Sequence, residues 1–310
     1  MKPLLSGYVQ GSRLGGPECE SFERELEMYY GVPHARVFNS ATSALHASLV
    51  ALNAEGSDVI VPAYTMSACA AAIVYAGANP VFGDIDDQYC LSKESFRALQ
   101  TDRTGALVYV YLFGHHPFPP GRQSWLPCKI PVVHDCSQAP SLKPSRMSGP
   151  TDVWVYSLNQ NKIMSTGEGG YVLTYDGEMA DRLHAMRNHG EDTRHNILGF
   201  NYRMTEGTAA AGREQLEKLH CLLAERRAWA ERFENQYGYG DPNNRDWYRL
   251  PIRVQGTPKE IQRIADHVGG TRGYTTPTHK LPWFQHNGWA DLTLPNTELI
   301  ESQIIMVTPS

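Results

Sequence analysis

Short apolar runs alternate with helix-like stretches between about residue 36 and residue 175. Turn-forming residues bound the runs, which is typical of strands buried inside a sheet. Strands that alternate with helices favour a mostly parallel sheet covered by helices on both faces. The pattern therefore predicts an α/β fold whose strands include Asp58–Val61, Pro80–Phe82, Leu107–Leu112, Ile130–Val133, Val153–Tyr156 and Tyr171–Thr174.

A long helical pattern follows the last of these strands, with leucines recurring at helical spacing in its middle. We expect this helix to cross from a large domain to a small one. The predicted elements of this half are the helix from Thr205 to about Tyr237, a strand at Tyr248–Val254, a helix at Pro258–Val268 and a last helix from Asn296.

These elements predict three parts of the chain. Residues 1–17, rich in Gly and Pro, are expected to form an extended arm that lies on a partner subunit. Residues 18–215 would form the large domain. Residues 216–310 would hold the linking helix and an abbreviated α+β carboxyl-terminal domain.

Composition narrows the functional class. The 310 residues carry a net charge of −5 and no basic run, which argues against a nucleic-acid surface. Six cysteines are scattered without a C-x-x-C pair, so neither a zinc site nor a disulfide framework is indicated. The beginning lacks the apolar core of a signal peptide, and no stretch is long enough to span a membrane. We therefore expect a cytoplasmic protein with no metal and no membrane partner.

One lysine has informative neighbours. The strand-like run Val153–Ser157 ends in a hydroxyl, and Lys162 follows in a short irregular loop that leads through a Gly-rich turn into the next strand. An amine held at the end of a strand can form a Schiff base with a carbonyl. A lysine in an ordinary surface loop is the alternative.

A carboxylate and an amide follow another strand. Asp135 ends the apolar run that starts at Ile130, and Gln138 comes three residues later. Ligands of open α/β sheets bind at the carboxyl ends of strands. A pyridoxal phosphate ring needs an anion against its pyridine nitrogen, a role that suits Asp135. An aspartate that merely caps a helix or forms a turn is the alternative.

A cluster of hydroxyls precedes a third informative segment. Ser40, Thr42 and Ser43 stand where an Ala- and Leu-rich helix is predicted to begin. The free amides of a helix N-terminus, joined by such hydroxyls, form an anion site suited to a phosphate. Helix capping alone explains the same residues equally well.

Segments in the order of one known family run from about Gly7 to Arg227. The chain resembles the DegT/DnrJ/EryC1/StrS sugar aminotransferases, which are fold-type I pyridoxal phosphate-dependent enzymes. No single motif is decisive, but their shared order and spacing are. The matching segments are Asn39–Leu45, Asp58–Thr65, Gly77–Asp86, Asp135–Gln138, Ser157–Gly170, Arg187–Gly190 and Gly199–Met204.

The resemblance implies roles for three residues at the reacting end of the cofactor. Lys162 would attach pyridoxal phosphate covalently and carry the proton between the substrate carbon and the cofactor. Asp135 would pair with the pyridine nitrogen, and Gln138 would lie near the phenolic oxygen.

The resemblance also implies a shared phosphate site. Thr42, Ser43 and Ser157 would bind the cofactor phosphate of their own subunit. Asn201 would reach the phosphate in the neighbouring subunit, so the active site would require a homodimer.

Several residues depart from the family pattern. Ala41 stands where the family has Gly, so a methyl group must fit beside the phosphate. Met66 stands where an aromatic ring often stacks on the cofactor, and its thioether or Tyr64 would have to replace that contact. Cys136 and Ser137 replace a pair of small residues. None of these departures removes a catalytic group.

The family reaction transfers an amino group from glutamate or glutamine to a keto sugar, usually nucleotide-linked, through the pyridoxamine phosphate form of the cofactor. Tyr64, His189 and His279 are our candidates for contacts with the substrate. An equally good interpretation is that His279 fills the core of a short domain.

Other functions stay open at this point. A family member of the same kind could aminate a cyclitol. A non-catalytic homologue would bind the cofactor or a sugar without turnover, and the Ala41 and Met66 departures favour it. Lys162 argues against that reading, because a binding protein needs no proton-carrying amine. A nucleotide-binding α/β protein is disfavoured, because Gly167–Gly170 precedes a strand rather than opening a helix.

Overall fold

The computed structural model describes residues 16–115, 125, 129–145, 149, 151–191, 197–239, 245–273, 276–289 and 291–309. Apart from residues 16 and 17, the arm predicted for residues 1–17 lies outside this part of the chain.

Seven strands of the described chain form one large sheet. In order across the sheet they are β1 (His34–Phe38), β7 (Gly170–Thr174), β6 (Val153–Ser157), β5 (Val132–Asp135), β4 (Thr104–Val110), β2 (Asp58–Pro62) and β3 (Asn79–Gly83). The strands from β6 to β3 pair in parallel, whereas β7 is antiparallel to both β6 and β1. This arrangement confirms the predicted, mostly parallel sheet.

Helices cover both faces of this sheet. Side chains alternate between the two faces along each strand, so the buried strands present apolar residues on both sides. Val59 and Val61 of β2 belong to one hydrophobic cluster and Ile60 to the other. The first cluster packs against α2, α3 and α5, and the second against α1 and the first half of α6. The helices are α1 (Pro17–Tyr30), α2 (Ala41–Ala51), α3 (Ala68–Tyr75), α4 (Lys93–Leu99), α5 (Gly177–Arg187) and α6 (Glu206–Tyr237).

Two strands of the large sheet differ most from their predicted boundaries. The strand predicted at Leu107–Leu112 ends at Val110, because the chain turns into a 3-10 helix where Phe113 adopts a φ of 60°. The strand predicted at Ile130–Val133 is β5, which runs on to Asp135. The carboxylate therefore stands on the last residue of the strand itself, where the sheet fixes its backbone.

A small antiparallel sheet follows α6 in the described chain. It contains β8 (Leu250–Arg253), β10 (Ile304–Val307) and β9 (Thr271–Arg272), in that order, with α7 (Pro258–Val268), α8 (Pro282–Phe284) and α9 (Pro295–Gln303). Phe233 near the end of α6 packs in the core of this sheet, whereas Leu216 and Leu219 pack under the large sheet. The predicted α+β carboxyl-terminal part is confirmed, while the division into domains, with α6 as the helix that links them, stays a prediction.

A carboxylate ties the small part to the edge of the large sheet. Asp84, just after β3, accepts hydrogen bonds from the backbone amides of Asn296 (3.0 Å) and Thr297 (2.8 Å). These amides belong to the first turn of α9, so the charge also suits the positive end of the helix dipole. Trp289 Nε1 adds a bond to the carbonyl of Pro80 at 3.0 Å.

Candidate active site

A cleft of about 450 Å³ opens where the carboxyl ends of β5 and β6 meet the N-terminus of α2. Parallel strands place their last residues at one edge of a sheet, which explains why segments distant in sequence converge there. Residues from the segment before β8 close the cleft. The candidate residues that line it are Ala41, Thr42, Met66, Asp135, Gln138, Ser157 and Lys162.

The N-terminus of α2 supplies the anion-binding end. Ser40 caps the helix: its Oγ accepts from the amide of Ser43 at 3.1 Å, and its carbonyl accepts from Ala44 at 3.1 Å. The first amides of a helix have no partner inside the helix. The backbone amides of Ala41 and Thr42 therefore remain available at the cleft, where a phosphate could accept hydrogen bonds from them.

The hydroxyl of Ser43 is engaged within the cap. It lies 2.8 Å from Ser40 Oγ and donates to Asn39 Oδ1 at 2.7 Å. Ser157 lines the cleft, with its Oγ accepting from the amide of Asn159 at 3.3 Å. The predicted phosphate contacts of Ser43 and Ser157 stay predictions.

Asp135 is the buried anion of the site, with 5% of its surface exposed. Its Oδ1 accepts from the amide of Ser137 at 3.0 Å, and its Oδ2 accepts from Cys69 Sγ at 3.1 Å. Gln138 is equally buried, and its Oε1 accepts from the amide of Phe113 at 2.7 Å. Both side chains are therefore held in place before any ligand binds.

Lys162 lies in a loop whose backbone is closed on itself. Its amide donates to the carbonyl of Asn159 at 2.8 Å, and Gln160 donates to the carbonyl of Gly167 at 2.7 Å. The half-buried side chain reaches the ring of Tyr248, with Nζ 4.6 Å from the ring centroid. A cation at this distance from an aromatic face is attracted to it.

Sequence reasoning missed Tyr248 and Arg249, which both line the cleft. The guanidinium carbon of Arg249 lies 5.5 Å from the same Tyr248 ring. The sequence pattern predicts only a strand of the small domain for the run that begins at Tyr248, and β8 starts two residues later. No signal in the sequence links this run to Lys162, because only the tertiary fold brings them together.

Two departures from the family pattern have clear positions. Met66 lines the cleft with 54% of its surface exposed, so its thioether is available to a ligand. Tyr64 is fully buried in the core on one face of the large sheet. The geometry therefore supports Met66, and not Tyr64, as the residue that replaces the usual aromatic contact. It also gives no support to the predicted substrate contact of Tyr64.

The two histidine candidates lie in contrasting places. His189 is exposed in a turn, with a φ of 61° and its amide bonded to the carbonyl of Phe200 at 3.0 Å. His279 is 1% exposed, its ring 6.2 Å from that of Phe82, and burial lowers its pKa. This position agrees with a core role for His279, and neither substrate contact gains support.

Asn201 does not line the cleft of its own chain. Its side chain is exposed, and its carbonyl accepts a bond from Asn39 Nδ2 at 3.3 Å, next to the α2 cap. The predicted reach into a neighbouring subunit stays a prediction.

The part of the chain that the structure describes holds no cluster of three or more His, Cys, Asp or Glu side chains able to bind a metal. Among its helices, none combines the length and the apolar character needed to cross a membrane.

The chain as a whole is similar to known proteins of one family. The model of the DegT/DnrJ/EryC1/StrS aminotransferase family matches residues 8–309. GDP-perosamine synthase of Escherichia coli O157:H7 is 28% identical over 336 residues, covering 95% of this chain and 89% of that protein. The dTDP-3-amino-3,4,6-trideoxy-alpha-D-glucose transaminase of Micromonospora megalomicea subsp. nigra is 29% identical over 323 residues, covering 96% and 86%.

A solved structure extends the likeness to three dimensions. S. venezuelae DesV in complex with a ketimine intermediate matches with a TM-score of 0.83 at 28% identity, covering 94% of this chain and 84% of that one. The resemblance found in the sequence is thus confirmed, and the chain belongs to the DegT/DnrJ/EryC1/StrS aminotransferase family.

Proposed function

We propose that this protein is a pyridoxal phosphate-dependent aminotransferase that moves an amino group from glutamate or glutamine to a nucleotide-linked keto sugar. One observation carries the proposal: the Lys162 amine, the Asp135 carboxylate and the open amides of α2 line the same cleft. The sugar substrate is supported by relatives whose names specify GDP- and dTDP-linked amino sugars.

The residues present fit pyridoxal phosphate, the cofactor of this family. The phosphate would bind at the amides of Ala41 and Thr42, with the Ser157 hydroxyl beside them. The Asp135 carboxylate would face the pyridine nitrogen, and Gln138 would lie near the phenolic oxygen. The cleft volume of about 450 Å³ falls within the range of cofactor and small-ligand sites.

When bound, the cofactor supplies an electrophilic carbon and a ring that accepts electron density. Lys162 Nζ then serves as the base that takes the proton from the α-carbon of the donor. The same nitrogen delivers a proton to the sugar carbon in the second half of the reaction. Asp135 would keep a proton on the ring nitrogen of the bound cofactor, and its burial would strengthen that interaction.

The proposed enzyme is a homodimer. Asn201 is exposed beside the α2 cap and is not part of the cleft of its own chain. A second subunit placed against this surface would receive Asn201 at its phosphate site, as the sequence resemblance implies.

A second candidate is a homologue that binds the cofactor without turnover. This candidate is supported by two departures from the family pattern. Ala41 changes the surroundings of the phosphate, and Met66 changes the contact with the cofactor ring. The Lys162 amine in the same cleft as Asp135 opposes it, because a protein that only binds the cofactor has no need of a proton-carrying amine.

The deciding experiment is the visible absorption spectrum of the protein with pyridoxal phosphate, before and after L-glutamate. We expect a borohydride-sensitive band that L-glutamate abolishes. Lys162→Ala should lack the band, whereas Lys143→Ala, which removes an exposed lysine bonded to the Tyr29 carbonyl, should keep it. A band that neither glutamate nor glutamine changes would favour the binding protein. Nucleotide-linked keto sugars and keto cyclitols offered to the glutamate-treated enzyme would then identify the acceptor.

A further inference from the structure

We propose that Cys69 is a positioning residue that holds the Asp135 carboxylate toward the cofactor ring through a thiol hydrogen bond. The proposal rests on the function proposed above. Its basis is the contact of 3.1 Å between Cys69 Sγ and Asp135 Oδ2. Cys69 is 0% exposed and does not line the cleft, so it acts from behind the carboxylate.

The two oxygens of Asp135 have different donors. The amide of Ser137 serves Oδ1 at 3.0 Å, and the thiol of Cys69 serves Oδ2. Two bonds from separate elements, the loop after β5 and the first turn of α3, fix the rotation of the carboxylate plane. A carboxylate fixed in this way needs no reorganisation when a cationic ring nitrogen arrives.

A thiol suits this place because it is a weak donor. It satisfies a buried oxygen that would otherwise be costly to leave without a partner, yet it withdraws little of the negative charge. Burial, reinforced by the charge of Asp135, raises the pKa of the Cys69 thiol well above its usual value. The thiol therefore stays protonated at neutral pH and keeps its proton for the carboxylate. Thr65 Oγ1 also lies near the sulfur, 3.7 Å from Sγ.

The competing explanation is that Cys69 only fills space in the core that α3 forms with the sheet. Three substitutions separate the two roles. Cys69→Ser keeps a donor of similar size, Cys69→Val fills the space without a donor, and Cys69→Ala removes both. We expect the dissociation constant for pyridoxal phosphate, measured by absorbance titration, to rise about tenfold in the Ala and Val variants. The Ser variant should stay within about threefold of the parent protein.

Pairing with Asp135→Asn tests whether the effect passes through the carboxylate. In that background, Cys69→Val should change the dissociation constant by less than about twofold. The infrared S–H stretch of the cofactor-free protein, isolated by subtracting the Cys69→Ser spectrum, gives a second readout. It should lie below the frequency of a free thiol and move toward it in Asp135→Asn.

Several results would overturn the inference. Cofactor affinity in Cys69→Val equal to that of the parent would do so, as would an undiminished loss in the Asp135→Asn background, or an S–H frequency unaffected by that substitution. If the parent protein binds pyridoxal phosphate and the Cys69 variants match it, only this inference fails. If the parent binds none, the proposed function fails with it.

Discussion

The amine of Lys162 lies 4.6 Å from the centre of the Tyr248 ring. Lys162 follows β6 of the large sheet, whereas Tyr248 lies two residues before β8 of the small sheet. The segment that leads into the small sheet therefore supplies a wall of the cleft that the large sheet builds. Any change in how the two parts dock would alter the surroundings of the reactive amine.

The face of the Tyr248 ring should be what positions the amine. Tyr248→Leu removes the aromatic face that holds the amine in the cleft, and we expect the affinity for pyridoxal phosphate to fall about three- to thirtyfold because Nζ is no longer positioned for the cofactor. Tyr248→Phe keeps the face and should bind like the parent protein. Absorbance titration of both variants checks this, and equal losses in the two would assign the effect to the hydroxyl.

Gly170, the first residue of β7, controls how closely that strand approaches the phosphate-binding turn. A β-carbon at this position would lie 2.5 Å from the backbone nitrogen of Ala41, a distance that forces one of the two segments to move. We expect Gly170→Ala to weaken pyridoxal phosphate binding at least about tenfold, because the amides of Ala41 and Thr42 would shift.

The matched control for Gly170→Ala is Ala41→Gly, which removes a methyl group on the other side of the contact between Gly170 and Ala41 and adds no bulk. It should bind the cofactor within about threefold of the parent protein. Unchanged affinity in Gly170→Ala would show that the α2 turn tolerates displacement, which would weaken its assignment as the phosphate site.

Much of the fold could be predicted from the sequence because the strands of the large sheet are short apolar runs between helices. β1 and β10 were missed for identifiable reasons. β1 carries His34 and Arg36 at its half-buried positions, which hides the apolar run. β10 begins at Ile304, directly after the last residue of α9, with no turn signal between them.

The candidate site likewise contains residues that the sequence predicts and residues that only the folded structure brings together. Lys162 and Asp135 could be found because each belongs to a motif that is local in sequence. Tyr248, Arg249 and Cys69 could not, because their importance comes from contacts with residues distant along the chain. The opposite case is Tyr64: its motif suggested a site residue, but the core holds it away from the cleft.

Arg187 opens a family motif, yet its contacts indicate a stabilising role. It is 3% exposed, and its Nη1 lies 2.5 Å from Glu23 Oε1 and 2.6 Å from the carbonyl of Val37. The pair joins α1, β1 and α5. Glu23→Ala would leave the guanidinium buried without its carboxylate, and we expect the free energy of unfolding to fall by about 3 to 5 kcal/mol.

Urea denaturation of the cofactor-free protein measures that loss. Glu214→Ala is the control, because Glu214 pairs with Lys218 on the exposed face of α6 and should change stability by no more than about 0.5 kcal/mol. Similar losses in the two variants would contradict a special role for the buried pair.

Asp86 should make the protein less stable as pH rises from about 4 to 7. Burial raises the pKa of this carboxyl to about 6, although its Oδ1 accepts bonds from the amides of Gln88 (2.9 Å) and Cys90 (3.1 Å). The folded state therefore holds the proton more tightly than the unfolded state, whose aspartate pKa is near 3.9. The stability gained from this group is complete below about pH 4 and is lost as pH rises through about 6.

Asp86→Asn keeps the hydrogen-bond acceptor and removes the charge, so the free energy of unfolding of this variant should not show the fall with pH that Asp86 causes. Relative to Asp86→Asn, we expect the parent protein to lose about 2 kcal/mol between pH 4.5 and pH 7.5. Urea denaturation of both proteins at several pH values measures the difference, with Asp102→Asn as the exposed control. A difference that stays constant across this range, or that grows in favour of the parent as pH rises, would show that the Asp86 carboxyl does not titrate with a raised pKa.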